Sequence, residues 1–203
     1  MFVQIFRART KDKAGVREQF DRWVAELAEG APGWLGSTVG LTDDGEMVGI
    51  ARFASEEEAR ANSSRPEQGK WFEKLSEHLD GDVSFKESSD VDFVMGGGSD
   101  QAGFVQLIEG AVTDEERFRA VVRDLESLLL LQRPEIMGGI IAYHGDGSLT
   151  EAFYFTSEET AREGESKMAA PEIQKYLDEI SALTKDLRYT DIRQPWLAGP
   201  RAV

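Results

Sequence analysis

The feature that most constrains the fold of this chain is an internal repeat, in which the first half of the sequence returns about 100 residues later. The clearest matching segments, in order along the chain, are Phe2–Ile5 with Phe104–Leu107, Asp44–Gly45 with Asp146–Gly147, and Phe53–Arg60 with Phe155–Arg162. Farther on, Pro66 and Glu67 match Pro171 and Glu172 after a short insertion. A single match arises by chance, but a series in the same order indicates two copies of one folding unit.

The junction between the two copies is marked by its composition. It begins with Gly96-Gly97-Gly98-Ser99-Asp100, and a run of glycine and serine favours a flexible linker. We therefore expect a first repeat over residues 1–95, a linker over 96–102 and a second repeat over 103–203.

Both copies predict the same order of strands and helices. Each opens with an alternating strand, at about 2–8 and 104–111, and continues with apolar residues at helical spacing. Two strands then meet at an Asp-Gly turn, which is a strong hairpin signal. After a further helical segment, a final strand at about 82–87 or 186–192 closes the copy. The order β-α-β-β-α-β is that of the ferredoxin-like unit, and the fold class is α+β.

Four positions indicate where the helices begin. Ser55 with Glu58, and Thr113 with Glu116, have the spacing of capping boxes, in which each residue of the pair satisfies a free backbone N–H group. Proline is favoured in the first turn of a helix, so Pro66 and Pro171 each predict a new helix after the third strand.

Composition excludes several classes of function. The net charge of −15 makes a nucleic acid or an anionic membrane surface an unfavourable partner. No apolar stretch is long enough to span a bilayer, and the segment that begins with Met1 resembles a strand more than a signal peptide. The chain has no cysteine, which fits a cytoplasmic location, and its two histidines are too few for a histidine metal centre. We expect no metal.

Alternation along the strands identifies polar residues that could bind a ligand. We expect the aliphatic residues of the first strands, Val3, Ile5, Val105 and Leu107, to face the helices. Gln4 and Gln106 then point away from the helices, and so do Arg52 and Tyr154 of the third strands. Buried polar groups need hydrogen-bond partners, which a ligand can supply. The alternative is that these groups satisfy one another or reach solvent at strand ends.

Nearly the whole chain resembles a known family. The strand order, the pattern Arg-Phe-x-Ser-x-Glu-x-Ala that starts at Arg52, and the later helix with Trp71 are similar to the antibiotic biosynthesis monooxygenase-like domains. In that superfamily two ferredoxin-like units pack their sheets face to face as a dimeric α/β barrel. The resemblance therefore implies an intramolecular barrel, present as a monomer or as a homodimer of barrels.

The resemblance also implies an activity. Cofactor-free oxygenases of this family carry Asn and Trp after the third strand with an Arg nearby, and Asn62, Trp71 and Arg52 or Arg65 match those positions. The implied function is a monooxygenase without cofactor, acting on a small hydrophobic or phenolic molecule. Copy two has Gly164 and Tyr176 opposite Asn62 and Trp71, so we expect pocket chemistry in copy one. Core packing is the alternative role for Trp71.

Two alternatives to the oxygenase remain. Haem-degrading relatives carry Asn on the first strand and Trp and His on the late helix, where this chain offers Gln4 or Gln106 and the pair Trp71 and His78 at a different spacing. Haem binding is therefore the weaker interpretation. His144, before the hairpin turn of copy two, is a candidate ligand-binding residue. The other alternative is a barrel that binds small ligands or serves structure without catalysis.

Overall fold

The computed structural model describes residues 1–167 and 169–200, which form two units. Unit 1 consists of Met1–Asp90 together with the described residues from Gln194 onward, and unit 2 of Val91–Arg193. Both units are α+β and have the predicted β-α-β-β-α-β order.

Unit 1 is a sheet with three helices. Its elements are β1 (Phe2–Thr10), α1 (Lys13–Glu26), β2 (Trp34–Leu41), β3 (Glu46–Phe53), α2 (Glu56–Ser63), α3 (Pro66–Ser76), β4 (Leu79–Ser88) and a late strand β10 (Trp196–Ala198). The strand order is β10-β2-β3-β1-β4, and the paired strands are antiparallel.

Unit 2 repeats this arrangement. Its elements are β5 (Asp90–Val94), β6 (Phe104–Val112), α4 (Glu115–Gln132), β7 (Ile136–Tyr143), β8 (Ser148–Phe155), α5 (Glu158–Ser166), α6 (Pro171–Leu183) and β9 (Thr184–Ile192). The strand order is β5-β7-β8-β6-β9. Strands β5 and β10 are additions to the predicted four-stranded sheets.

The turn and helix signals are confirmed with one exception. Gly45 and Gly147 have φ angles of +86° and +84°, which glycine adopts without strain in the hairpin turns. The Ser55 hydroxyl accepts a hydrogen bond from the Glu58 backbone N–H, as the capping box requires.

The predicted capping box at Thr113 is wrong by one residue. The N-cap of α4 is Asp114, whose carboxylate accepts a hydrogen bond from the Arg117 N–H group. The Thr113 hydroxyl instead donates to the backbone carbonyl of Leu183, at 3.0 Å. A carboxylate also interacts favourably with the positive end of the helix dipole.

The expected orientation of the first strands is also wrong. Phe2 pairs with Phe53, and both pack with Trp23 of α1, so their face is the one that the helices cover. Gln4 lies on that same face opposite Ala51, and Gln106 lies opposite Phe153 in unit 2. Both faces of these strands carry apolar residues, so alternation separated the faces but could not identify which one meets the helices.

No helix in residues 1–167 and 169–200 combines the length and the apolar character that crossing a membrane requires.

Candidate active site

A cavity of about 600 Å³ lies in unit 2 between the sheet and its helices. Its sheet side is formed by Gln106, Ile108, Glu151, Phe153, Phe155, Leu187, Tyr189 and Asp191. Its helix side includes Leu125, Leu129, Arg162, Glu165, Leu177 and Ile180. Arg133, Ile136 and Thr184 complete the lining, which combines apolar walls with several polar groups. Apolar walls with convergent polar groups are typical of a site for a small organic molecule.

A polar network lies at one side of this cavity. The Gln106 Nε2 group donates to Asp191 Oδ1 at 3.0 Å, and the Arg162 guanidinium donates to the other oxygen of Asp191. Arg162 also pairs with Glu165 at 2.9 Å. Because the ionised Asp191 carboxylate can only accept hydrogen bonds, the amide nitrogen of Gln106 must face it. The Gln106 carbonyl oxygen therefore remains as an acceptor beside the cavity.

Unit 1 contains the matching network. The Gln4 Nε2 group donates to Glu87 Oε1 at 2.7 Å, and Arg60 Nη1 donates to the same oxygen at 2.8 Å. The Arg60 guanidinium holds the pKa of Glu87 below its usual range. Because both units have this network, its shared role is structural. It connects β4 with α2 in unit 1 and β9 with α5 in unit 2. In unit 2 the network also lines a cavity.

Glu151 is the polar group that sets unit 2 apart. It lies on β8 between the apolar residues Leu149 and Phe153 of the helix-facing side, opposite Ile108, and is 8% exposed. Burial raises the pKa of Glu151 to about 7. Among the described residues, none forms a hydrogen bond or an ion pair with its carboxyl group. A carboxyl group with a pKa near neutrality is suited to accept a proton.

The corresponding space in unit 1 is filled by aromatic rings. Phe6 matches Ile108, and its ring is 6.1 Å from that of Phe20 and 6.3 Å from that of Phe85. Gly49 matches Glu151, and a Cβ atom there would lie 2.1 Å from the Phe6 ring. The two units therefore share a sheet but differ in how its helix face is filled.

Two of the predicted catalytic residues lie in unit 1 and contact other groups. Asn62 is buried on α2, and its Oδ1 atom accepts a hydrogen bond from Arg65 Nη1 at 3.0 Å. Arg65 also donates to the carbonyl of Leu27, at 3.2 Å. The Trp71 indole N–H donates to the carbonyl of Gln19 at 2.7 Å and fastens α3 to α1.

Arg52 and Tyr154 lie on the face of each sheet that the helices do not cover. Arg52 pairs with Val3 and Tyr154 with Val105, as the alternation of the third strands predicted. Arg52 is thus on the opposite side of the sheet from the cluster that contains Trp71. Of the nine residues predicted for the site, Gln106 is the one that lines the unit 2 cavity.

The two histidines lie at element ends. His78 follows α3, and its Nδ1 atom is 2.9 Å from the Oδ2 atom of Asp12, which is the N-cap residue of α1. His144 is buried before the hairpin turn of unit 2, with Nε2 3.0 Å from the Thr150 hydroxyl. In the described part of the chain, no group of three or more His, Asp or Glu side chains could hold a metal ion.

Sequence reasoning overlooked Glu151, although a signal was available. The helix-facing residues of β8 read Leu149, Glu151, Phe153 and Phe155, so an acid interrupts an otherwise apolar face. The matching position in copy one is Gly49. A charged residue at an inward position of a central strand is unusual enough to mark a candidate site.

Known proteins resemble this chain in structure but not in sequence. No family model and no curated protein matches the sequence. A protein from Fusobacterium nucleatum subsp. nucleatum ATCC 25586, provisionally named a monooxygenase, has a similar structure with a TM-score of 0.77, at 8% identity, over 98% of this chain and 94% of that one. A protein of the same provisional name from Lactobacillus acidophilus NCFM gives 0.74 at 12% identity, over 97% and 98%.

A third similar structure carries the family name. It is an uncharacterised ferredoxin-fold protein related to antibiotic biosynthesis monooxygenases, from Listeria monocytogenes 4b F2365. Its TM-score is 0.50 at 9% identity, and the match covers 99% of this chain and 96% of that one. At these identities the likeness is one of fold.

Proposed function

Because the chain folds as a tandem of antibiotic biosynthesis monooxygenase-like units, we propose that it is a monooxygenase that needs no cofactor, with its active site in the unit 2 cavity. The substrate is a small hydrophobic molecule with a phenolic hydroxyl group. The observation that carries the proposal is the unpaired carboxyl group of Glu151, buried in an apolar cavity.

Glu151 acts as the general base. A general base is most effective when its pKa is near the working pH, because it is then both ionised and able to hold a proton. Burial raises the pKa of Glu151 to about 7, which meets this condition at neutral pH. The ionised form accepts the proton of a phenol bound over β8.

The resulting anion is the reductant for oxygen. A phenolate with a C–H bond ortho or para to its oxygen reacts with O₂ so that this C–H bond and the O–O bond break, one oxygen atom becomes a ring carbonyl and the other leaves as water. The substrate supplies all four electrons, and its two hydrogen atoms end in the water molecule. The leucine and phenylalanine side chains beside Glu151 lower the local polarity, so fixed polar groups there act more strongly on the charged intermediate than they would in water.

Gln106 orients the substrate. Its amide nitrogen is held by Asp191, which Arg162 holds in turn, so its carbonyl oxygen has a fixed position. Gln106 lies opposite Phe153, and Glu151 is the next residue of β8 on the same face. Diagonal neighbours of this kind are about 7–8 Å apart, so one aromatic ring can contact both side chains.

Oxygen uptake tests the proposal. The wild-type protein is incubated with a panel of hydroxynaphthalenes, and O₂ consumption and quinone formation are followed together. We expect Glu151→Gln to lower kcat by 100-fold or more, as loss of a general base does. Glu163→Gln on the exposed side of α5 is the matched control and should keep wild-type activity. Equal rates for wild type and Glu151→Gln would refute the proposal.

Unit 1 is better suited to a structural role. The rings of Phe6, Phe20 and Phe85 occupy the position of the cavity, and no acid stands at position 49. The non-catalytic alternative considered from the sequence concerns the whole chain, and the oxygen-uptake experiment distinguishes it from the oxygenase. The proposed active site in unit 2 differs from the expectation that pocket chemistry lies in copy one.

A further inference from the structure

One end of the unit 2 cavity is formed by apolar side chains that are open to solvent. Leu177 of α6 and Leu187 of β9 both line the cavity and are 39% and 37% exposed. Glu151 and Gln106, in contrast, are 8% and 7% exposed. Tyr189 of β9, which pairs with Ile108, also lines the cavity and is 58% exposed, so the cavity is open along β9. We call the part lined by Leu177 and Leu187 the leucine end.

The matching residues of unit 1 are packed against its core. Phe72 occupies the position of Leu177, since each is the seventh residue of a helix that begins with proline. Val83 occupies the position of Leu187, one residue before the strand partner of Arg7 or Glu109. Phe72 and Val83 both pack on the core cluster of unit 1. The two positions are thus core contacts in one unit and cavity walls in the other.

Apolar surface left open to water costs free energy in proportion to its area. Leu177 and Leu187 incur this cost beside a cavity, where a bound molecule would remove it. The neighbouring Ile180 adds a third aliphatic side chain at this end. The hydroxyl of Thr184, which also lines the cavity, already donates to the carbonyl of Ile180, so the aliphatic walls of this end favour an occupant that is itself aliphatic.

The cavity is also longer than one aromatic ring. Its β9 wall runs from Leu187 to Asp191, and four residues of an extended strand span about 13 Å. A ring placed between Gln106 and Glu151 leaves the leucine end unfilled. The cavity is therefore long enough for a substrate with a second, apolar part.

We propose that the leucine end binds an aliphatic chain attached to the substrate ring, so that the substrate class is an alkylated hydroxyarene. The ring lies beside Glu151 and the chain leaves over Leu177 and Leu187. This inference rests on the proposed function for the position of the ring. The binding of the aliphatic chain does not depend on whether the substrate reacts with oxygen.

Binding of a homologous ligand series tests it. The full-length protein is titrated under nitrogen with 4-ethylphenol, 4-butylphenol and 4-hexylphenol by calorimetry, so that no turnover occurs. Burying one methylene group contributes about 0.8 kcal/mol, which is close to a fourfold decrease in Kd per methylene. We expect this dependence on chain length in the wild-type protein.

Two variants test where the alkyl chain of the ligand binds. Leu177→Ser and Leu187→Ser should each reduce the gain in affinity per methylene while leaving the Kd of 4-ethylphenol within about threefold of the wild-type value. Leu130→Ser is the matched control, because Leu130 is 55% exposed on α4 and does not line the cavity. It should keep the wild-type dependence. Thermal unfolding of all three variants checks that each is folded.

The outcomes separate the two proposals. A Kd that does not change with chain length, a full dependence in both serine variants, or no binding of any alkylphenol would overturn the aliphatic-chain proposal. A clear dependence on chain length without oxygen uptake would support the aliphatic-chain site and refute the oxygenase. Light scattering of the ligand-free protein adds one further check, since a dimer lost in both serine variants would assign the leucines to a second copy of the chain.

Discussion

The ring of Phe6 lies over Gly49 so closely that a Cβ atom at position 49 would be 2.1 Å from the ring carbon Cζ. The matching pair in unit 2 is Ile108 and Glu151, opposite each other on the equivalent strands. Unit 1 thus has a large side chain, Phe6, over a glycine, whereas unit 2 has the smaller Ile108 beside the acid Glu151. These two positions account for a filled interior in one unit and a carboxyl group beside a cavity in the other.

We expect Gly49→Ala to destabilise unit 1 by about 1–3 kcal/mol, because the added methyl group must displace the Phe6 ring. The same substitution in a Phe6→Ile background should cost less, since the smaller side chain leaves room. Urea unfolding of the four proteins gives the coupling energy between the two positions. Additive effects would show that the ring and the glycine do not constrain each other.

The raised pKa of Glu151 predicts how stability changes with pH. Its folded pKa of about 7 exceeds the usual value of 4.5, so the folded state holds the proton more tightly between these two pH values. Stability from this group is present below about pH 4.5 and is lost as the pH rises through 7. Glu151→Gln should therefore match the wild-type protein at pH 4.5 and exceed its stability by roughly 2–3 kcal/mol at pH 8.5.

Urea unfolding at the two pH values measures this difference. A stability gain for Glu151→Gln that is the same at both values would show that Glu151 has an ordinary pKa. The proposed catalysis has the opposite pH dependence, because the ionised form that destabilises the fold is the one that accepts the proton. Activity should therefore rise through about pH 7 while stability falls.

Trp196 connects β10 to the core of unit 1. Its ring lies 5.9 Å from that of Phe20, and the Arg17 guanidinium lies over it at 4.9 Å. We expect Trp196→Ala to destabilise unit 1 by about 2–3 kcal/mol, somewhat less than a fully buried tryptophan would. Trp196→Phe, which keeps an aromatic contact, should recover at least half of this loss. Thermal unfolding of both variants provides the measurement, and equal melting temperatures for the two would contradict the contact.

The correction at the start of α4 is also testable. Asp114→Ala should cost about 1 kcal/mol, because Asp114 supplies the N-cap hydrogen bond to Arg117. Glu116→Ala should have a smaller effect, since the predicted box with Thr113 does not form. Chemical unfolding of the two variants distinguishes the assignments, and a greater loss at Glu116 would favour the original box.

The fold was predictable because the duplication provides the same signals twice. The turns at Gly45 and Gly147 and the helix starts at Pro66 and Pro171 recur at matching places, so local ambiguity in one copy is resolved by the other. Strands β5 and β10 were missed because five and three residues are too few to show alternation. Such strands form because a neighbouring sheet edge has unpaired backbone groups.

The site was predictable in part. Gln106 was identified as a polar residue of a buried strand, but its face was assigned wrongly because both faces of β6 are apolar. Asn62 and Trp71 were chosen by resemblance, and the structure gives each a partner within unit 1. A cavity depends on the summed volumes of residues distant in sequence, such as Ile108 and Leu177, and no local pattern reports that sum.

The position of β10 has a consequence for synthesis on the ribosome. Most of unit 1 precedes unit 2 in the chain, yet its sheet includes Trp196–Ala198, which follow the whole of unit 2. The edge of β2 therefore stays open until the whole of unit 2 has been translated. Unit 1 precedes unit 2 in the chain but is completed after it, and until then its open edge can pair with another nascent chain.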